Sequence, residues 1–562
     1  LEKYSEMPLA ERERHDLIRG GIHVNGRTRL TGIKTTDRGV VGIDTIRVAY
    51  AKGDQPWGQE AAKEPFDVAA CQDVPGTEQS RGDFDHVIIA IGHRSSLEPR
   101  SNMVVAGDCS LGPSTVVQAV ASGKNAAARV HARLSGTTFE IPPRENKSTF
   151  VVPGYKRLPV PLQTDFFGRT LPGPFLLSAA PPTDGYEQMR RAMQTGWAGG
   201  IMKTAFDNIS IHIPSEYMFA FDTNTWANCD NVSGHRLDRV CKEIERLVRE
   251  FPDRLIAAST GGPVSGDDQA DADAWQSNTR KLEDAGTMCI EYSLSCPQGG
   301  DGTEGDIVSQ NAALTVKIIE WVLQKADPQI PKLFKLTAAV TSVASIVIAI
   351  KGLLDRYPRA KAGITLANTF PSLGFRPGNK KTWDEGVIVG MSGEGVTPIS
   401  NMTLAKVSGL GVHVSGNGGP MDYKAAAHFL ALGAKTVQFC TICMKHGYGV
   451  IDELNSGLSH MMQARGISSV EQLIGIALPD PVTDFMDLEA TKKISAVDPD
   501  LCVSCGNCTR CSYFALTLDK DQHPVTDPQH CIGCSICAKK CMSGALFMRD
   551  RNREELAALR ED

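Results

Sequence analysis

The chain has 562 residues, 41% hydrophobic and 22% charged, with a formal net charge of −6, which allows about three domains of ordinary size. Charge of both signs in this balance gives no basic surface for nucleic acid or an anionic membrane. No apolar run approaches the ~20 residues of a bilayer span, and residues 1–20 are charged and helical in pattern, unlike a signal peptide.

Sixteen cysteines are unevenly placed: half fall between Cys502 and Cys541, and the rest are scattered singly. That distribution excludes a secreted disulfide framework. It predicts a metal-cluster segment attached to a reduced, cytoplasmic protein.

In residues 1–140, Val41–Ala51 alternates as a strand does, and a polar, turn-rich stretch follows to about Gly82. Phe84-Asp-His-Val-Ile-Ile-Ala-Ile-Gly92 reads as a buried strand ended by glycine, and Asn102-Met-Val-Val-Ala-Gly-Asp-Cys109 as another. Gly112-Pro-Ser-Thr-Val-Val-Gln-Ala119 then opens a helix running to about Leu134. An Asp at a strand end before small residues at a helix start suits the ribityl and pyrophosphate of a flavin, because a helix N-terminus offers free N–H groups and partial positive charge.

The pairing of Ala90-Ile-Gly92 with Ala106-Gly-Asp108 resembles the C-terminal part of the two-dinucleotide flavoproteins of the glutamate-synthase small-chain type. That resemblance implies FAD contacts from Gly107 and Asp108, and a helix from Thr115 that approaches the flavin ring. No Gly-x-Gly-x-x-Gly fingerprint occurs in residues 1–140. The adenosine half of such a site is therefore expected from a second subunit or a missing N-terminal segment, unless the unit is vestigial. Residues 141–158, with Pro142, Pro143, Pro153 and Gly154, read as a linker.

From 159 to 480 apolar strands alternate with amphipathic helices. The strands are expected at Phe175–Ala180, Gly200–Lys203, Leu255–Ser259, Cys289–Ser295, Leu333–Leu336, Gly363–Asn368, Val412–Ser415 and Thr436–Thr441. Eight such units with no early phosphate loop predict an α/β fold, a (β/α)8 TIM barrel, with its chemistry at the strand C-termini. Those ends carry Ala179 and Ala180, Lys203 and Thr204, Ser293 to Cys296, Lys335, Asn368 and Thr369, Gly416, and Cys440 and Thr441.

A single lysine at a strand end is more often half of a structural ion pair, but two such lysines favour an anionic ligand such as reduced flavin. Glycines 416, 418 and 419 and the backbone after Cys440 suit a phosphate at the last two strands. The central run Glu291-Tyr-Ser-Leu-Ser-Cys-Pro-Gln-Gly299 ends a strand on Cys296 and passes into the Gly-rich loop 299–305. There a thiol would exchange a proton while a flavin moves a hydride, and loop closure would exclude water.

Residues 160–476 resemble the FMN barrel of dihydropyrimidine dehydrogenase, a relative of dihydroorotate dehydrogenase. The matching runs are Phe175-Leu-Leu-Ser-Ala-Ala180, Ile201-Met-Lys-Thr204, Leu294-Ser-Cys-Pro297, Phe334-Lys-Leu-Thr337, Ala367-Asn-Thr369, Met391-Ser-Gly393 and Val437-Gln-Phe-Cys-Thr441. The resemblance implies an FMN site containing Lys203 and Lys335 as well as Ala179, Ala180, Thr204, Ser392, Gly393, Gly416, Cys440 and Thr441. It implies Cys296 as the general acid that protonates pyrimidine C5 while hydride passes to C6, with Asn228, Asn368 and Thr369 on the pyrimidine edge. At the position of Ser293 the family has Asn, and a hydroxyl reaches less far than an amide.

The last unit, 495–550, holds Cys502-x2-Cys505-x2-Cys508-x2-Cys511 and Cys531-x2-Cys534-x2-Cys537-x3-Cys541. The spacing describes a ferredoxin-like unit with two 4Fe–4S clusters, the fourth cysteine of each run crossing to the other cluster. Cys502, Cys505, Cys508 and Cys541 are assigned to one cluster, and Cys531, Cys534, Cys537 and Cys511 to the other. Zinc knuckles rarely stand in two such runs about twenty residues apart.

Together these features predict electrons passing from NAD(P)H through FAD and the clusters to FMN in an oligomeric enzyme with a small-molecule substrate, a pyrimidine or another activated alkene. Two other readings stay open: an FMN enzyme for a different unsaturated substrate, and a subunit that exchanges electrons between ferredoxin and NAD(P)H in a larger complex.

Overall fold

The computed structural model describes residues 24–37, 39–51, 67–82, 87, 103–112, 114–140, 146–148, 158–207, 213, 215–230, 232–295, 307–378, 382–478, 485–487 and 492–559. The chain divides into two compact units, Leu1–Val152 and Pro153–Asp562. No helix among the described residues is long and apolar enough to cross a membrane.

In the first unit, Thr28–Thr36 and Gly39–Tyr50 form an antiparallel hairpin, and Cys71–Asp73 and Gln79–Arg81 pair with the longer strand. The predicted helix is present as Val116–Ser135. Thr115 caps it, its hydroxyl accepting from the Gln118 N–H while Gln118 reaches back to the Thr115 N–H, a closed capping box. Residues 103–106 make no described strand pairing. Most of the neighbouring predicted strand, Phe84–Gly92, lies outside the described residues.

The second unit contains a closed parallel barrel of eight strands. They are β1 Phe175–Leu177, β2 Gly199–Met202, β3 Leu255–Thr260, β4 Ile290–Ser293, β5 Lys332–Lys335, β6 Ala362–Leu366, β7 His413–Gly416 and β8 Thr436–Phe439. The helices that follow are α1 Tyr186–Thr195, α2 Leu237–Glu250, α3 Asp268–Asp284, α4 Ala312–Lys325, α5 Val343–Leu354, α6 Thr397–Val407, α7 Tyr423–Ala431 and α8 Val450–Ala464. This is a TIM barrel, and each predicted strand is present within a few residues of its expected ends.

Strand periodicity sorts the side chains. Ile256, Ala258, Ile290, Tyr292, Phe334, Ile364, Val414 and Val437 belong to the large core shared with the helices. The alternate positions face the barrel axis. At the N-terminal end Leu176, Ile201, Leu255, Ala257, Cys289 and Leu333 pack with Phe166 and Leu171 of a hairpin (Thr164–Phe166 and Arg169–Leu171) that plugs the barrel floor. Two residues further along the same inward faces stand Ser178, Lys203, Ser259, Glu291, Lys335, Ser415 and Gln438, all buried. The interior is therefore apolar at one end and polar at the other.

Two long connections build a lid-like antiparallel sheet over the polar end. Its strand order is Phe370–Arg376, Glu385–Gly393, Thr225–Asn228, Met218–Ala220. Asn228 is opposite Gly390 across this sheet.

The plug also sets a titration. The His413 ring stacks on Phe167 with centroids 3.9 Å apart, and its Nε2 is shut off from solvent without a hydrogen-bond partner. Burial pulls its pKa down to about 3, with a smaller contribution from the Lys435 charge. The unfolded chain takes up that proton near pH 6.5. His413 therefore contributes full stability above about pH 6.5 and loses it as pH falls toward 3. Urea unfolding between about pH 6 and 4 should show a slope of about 1.4 kcal/mol per pH unit from this group, which His413→Leu removes.

Candidate functional site

The polar end of the barrel opens into a cavity of about 330 Å³, within the range of small-molecule sites. Its wall takes residues from the carboxyl ends of most of the strands and from the overlying sheet. Ala179, Ala180, Lys203, Thr204, Ser293, Lys335, Asn368, Thr369, Cys440 and Thr441 all line it, joined by Asn228 and Ser392 from the sheet. Gly416 and Gly393 do not. Gly416 faces α7, where a Cβ would come within 2.9 Å of Phe429, and at Gly393 a Cβ would sit 2.0 Å from the Asn224 carbonyl. Both glycines answer to packing. Cys296 and the loop 299–305 lie outside the described residues.

Both predicted lysines are paired. Lys203 donates to Asp230, and each side chain is at most 5% exposed. Lys335 Nζ stands 3.2 Å from Oε1 of Glu291, which is fully buried. The other carboxylate oxygen of Glu291 accepts from Thr365 Oγ1 at 2.8 Å and from Gln438 Nε2 at 3.0 Å. Gln438 Nε2 also reaches Ser415 Oγ at 3.1 Å, while its carbonyl oxygen is buried without a partner. Two cations and two anions thus share the site.

Asn368 is fixed from both ends. Its Nδ2 donates to Ser295 Oγ at 2.8 Å, and its Oδ1 accepts from the Thr369 N–H at 2.8 Å. Thr369 in turn packs on Gly390, where a Cβ would fall 2.3 Å from the Thr369 hydroxyl. On the far side, Gly418 and Gly419 adopt φ of +99° and +105°. A Cβ at Gly418 would meet Ser400 Oγ at 2.5 Å, and one at Gly419 would meet the Gly393 carbonyl at 2.5 Å. The Thr441 hydroxyl donates to Ser392 Oγ at 3.0 Å. Burial pushes the Cys440 thiol up to about 12, so it is held as a neutral thiol despite Lys335 and Lys203 nearby.

The cysteine-rich segment forms two smaller cavities. Cys502, Cys505, Cys508 and Cys541 line one, and Cys511, Cys531, Cys534 and Cys537 line the other, with Cys537 also at the edge of the first. Each cavity draws on both halves of the segment. The halves match in backbone conformation: Ser504 and Gly533 precede the second cysteine of each run with φ of 51° and 78°, and Gly506 and Ser535 follow it with φ of 69° and 64°. The shorter first run closes with a 3-10 turn, Asn507–Thr509, where the second has the α-turn Ile536–Lys540. The tighter winding of a 3-10 helix accommodates the missing residue.

In the first unit, Asp108 accepts from Ser114 Oγ at 2.6 Å, and the Gly107 N–H donates to Ser122 Oγ at 3.0 Å. Thr115 is engaged in its capping box.

Asp230, Glu291 and Gln438 are residues at the site that sequence reasoning gave no role. For Glu291 a signal existed, since a charged residue two positions from Ser293 on a buried strand faces the same side. Asp230 carried none, because it lies in an irregular connection.

No protein-family model matches the chain. Among curated proteins, the subunit PreA of the NAD-dependent dihydropyrimidine dehydrogenase of Escherichia coli (strain K12) is 28% identical over 408 residues, covering 68% of this chain and 94% of PreA. The chloroplastic dihydropyrimidine dehydrogenase (NADP(+)) of Arabidopsis thaliana is 29% identical over 339 residues, covering 55% of this chain and 75% of that protein. The chain is thus similar to proteins named as dihydropyrimidine dehydrogenases. The catalytic subunit of the dihydroorotate dehydrogenase B (NAD(+)) of Pyrococcus furiosus is 26% identical over 324 residues, covering 56% of this chain and 98% of that subunit.

The buried pair yields a stability prediction. Lys335→Met leaves the Glu291 carboxylate without its cation, and in denaturant titration it should cost about 3–5 kcal/mol. The double variant Lys335→Met/Glu291→Gln should recover most of that loss, since no unpaired charge remains.

Proposed function

We propose that the chain is a flavin and iron–sulfur oxidoreductase acting on the C=C bond of a pyrimidine, with Cys296 as general acid. The observation that carries this reading is the single cavity in which Lys203, Lys335, Asn228, Asn368, Thr369 and Ser293 stand together at the barrel's carboxyl end. Homologues named as dehydrogenases of dihydropyrimidines and dihydroorotate support the reaction class.

The donor set suits FMN. Two ammonium groups, an unpartnered buried Gln438 carbonyl and a glycine-lined wall match a flat heterocycle with N–H donors, electron-rich oxygens and a phosphate tail. FMN bound there supplies hydride exchange with a ring carbon and one-electron exchange with the clusters. Asn228, Asn368 and Thr369 hold the amide edge of the pyrimidine, and Ser295 keeps the Asn368 carboxamide from rotating. Cys296 gives its proton to the carbon next to the one that receives hydride, so the C=C bond becomes two C–H bonds.

Gly107, Asp108 and the Thr115 helix would hold part of an FAD, with a second subunit or a preceding segment holding the rest, and FAD there would supply two-electron exchange with NAD(P)H. Each cysteine-lined cavity would hold a 4Fe–4S cluster and supply one-electron transfer, and the mixed origin of each wall suits ligation that crosses between the two runs. Ser293 favours one other reading, an alkene substrate that needs less reach at that position than an amide gives.

Uracil reduction driven by reduced methyl viologen tests the barrel without the NAD(P)H site. Cys296→Ala should lose about 10²–10⁴-fold in rate while keeping its bound flavin and the stoichiometric reduction of flavin and clusters by the viologen. Equal rates in variant and wild type would remove the thiol from the reaction. Cys541→Ser should lower iron from about eight to about four atoms per chain and alter the cluster walled by the first run. Iron unchanged at eight would break the crossed assignment.

A further inference from the structure

The carboxylate of Glu291 is a charge placed deep inside the barrel. It is fully buried, it does not line the cavity, and its hydrogen-bond partners come from three other strands: Lys335 on β5, Thr365 on β6 and Gln438 on β8. Lys335 and Gln438 do line the cavity. Glu291 therefore stands directly behind two groups that would meet a ligand. Such a carboxylate is costly to keep in a low-dielectric interior unless its charge is used.

We propose that Glu291 is a positioning residue that pins the Lys335 ammonium at the cavity floor and compensates its charge, thereby setting the redox potential of the bound flavin. This rests on the FMN reading above. Reduction adds two electrons and one proton to the oxidised ring at neutral pH, leaving one net negative charge at the N1–C2 carbonyl edge. An uncompensated ammonium beneath that edge favours the reduced ring over the oxidised one. A carboxylate 3.2 Å from the ammonium offsets most of that preference. Potential is therefore set by the pair, and Lys335 alone would pull it higher. The Gln438 amide ties the two roles together: its N–H group holds the carboxylate, which leaves its carbonyl oxygen as an acceptor at the cavity wall.

The test is the midpoint potential of FMN in the holoprotein, which reports the ratio of affinities for reduced and oxidised FMN. Glu291→Gln keeps the shape and an acceptor for Lys335 but removes the negative charge. The ratio should rise at least about tenfold, a shift of about +30 mV for a two-electron couple. In the double variant Glu291→Gln/Lys335→Met both charges are gone, and the ratio should return to within about threefold of wild type. That variant carries no unpaired charge, so it decides the matter even where the single variant does not fold. A ratio unmoved in Glu291→Gln, or one at least about tenfold below wild type in the double variant, overturns the compensation. A wild-type protein that binds no FMN overturns the functional reading itself, a separate outcome from either.

Discussion

A buried carboxylate has to be satisfied on every side, and meeting that requirement organises this barrel. Glu291 sits where the interior changes from apolar to polar, and three other strands converge on it through Lys335, Thr365 and Gln438. Below it, Leu176, Ile201, Leu255 and Leu333 pack against Phe166 and Leu171 without polar groups. Above it, every inward position can carry a hydroxyl, amide or charge because the neighbours supply partners. The boundary between the two regimes fixes where chemistry is possible.

The overlying sheet completes what the strands begin. Asn228 arrives from one long connection, and Gly390 and Ser392 from another, so the cavity roof is built from segments far apart in sequence. Close approach makes glycine necessary at several of these points. Gly390 lets the Thr369 hydroxyl settle, and Gly418 lets the chain pass Ser400. The positive φ at Gly418 and Gly419 is the backbone cost of that turn.

The barrel strands were legible because buried parallel strands are short apolar runs, and alternation with amphipathic helices leaves few other folds. Strand ends then located Lys203, Lys335, Asn368 and Thr441 correctly on the cavity wall. Partners were harder to read. Asp230 lies in a connection without periodicity, and the partner of Glu291 follows only once the adjacent strand is known to turn a lysine inward. Glycines answer to two demands at once. Gly416 belongs to a run that suggests a phosphate turn and Gly393 to a run matched to the family, and at both positions neighbouring bulk leaves no room for a side chain, Phe429 and the Asn224 carbonyl respectively. Composition alone cannot separate a glycine that receives a ligand from one that admits a helix. In the cysteine segment spacing grouped the thiols as the two cavities do, because each thiol's place follows from its count along a tightly wound run.

The plugged floor has a kinetic meaning. With Phe166 and Leu171 closing one end and the polar cavity at the other, the barrel is a dead-end vessel. A molecule held in the cavity cannot pass through the plugged end, so its entry and its exit share the polar end.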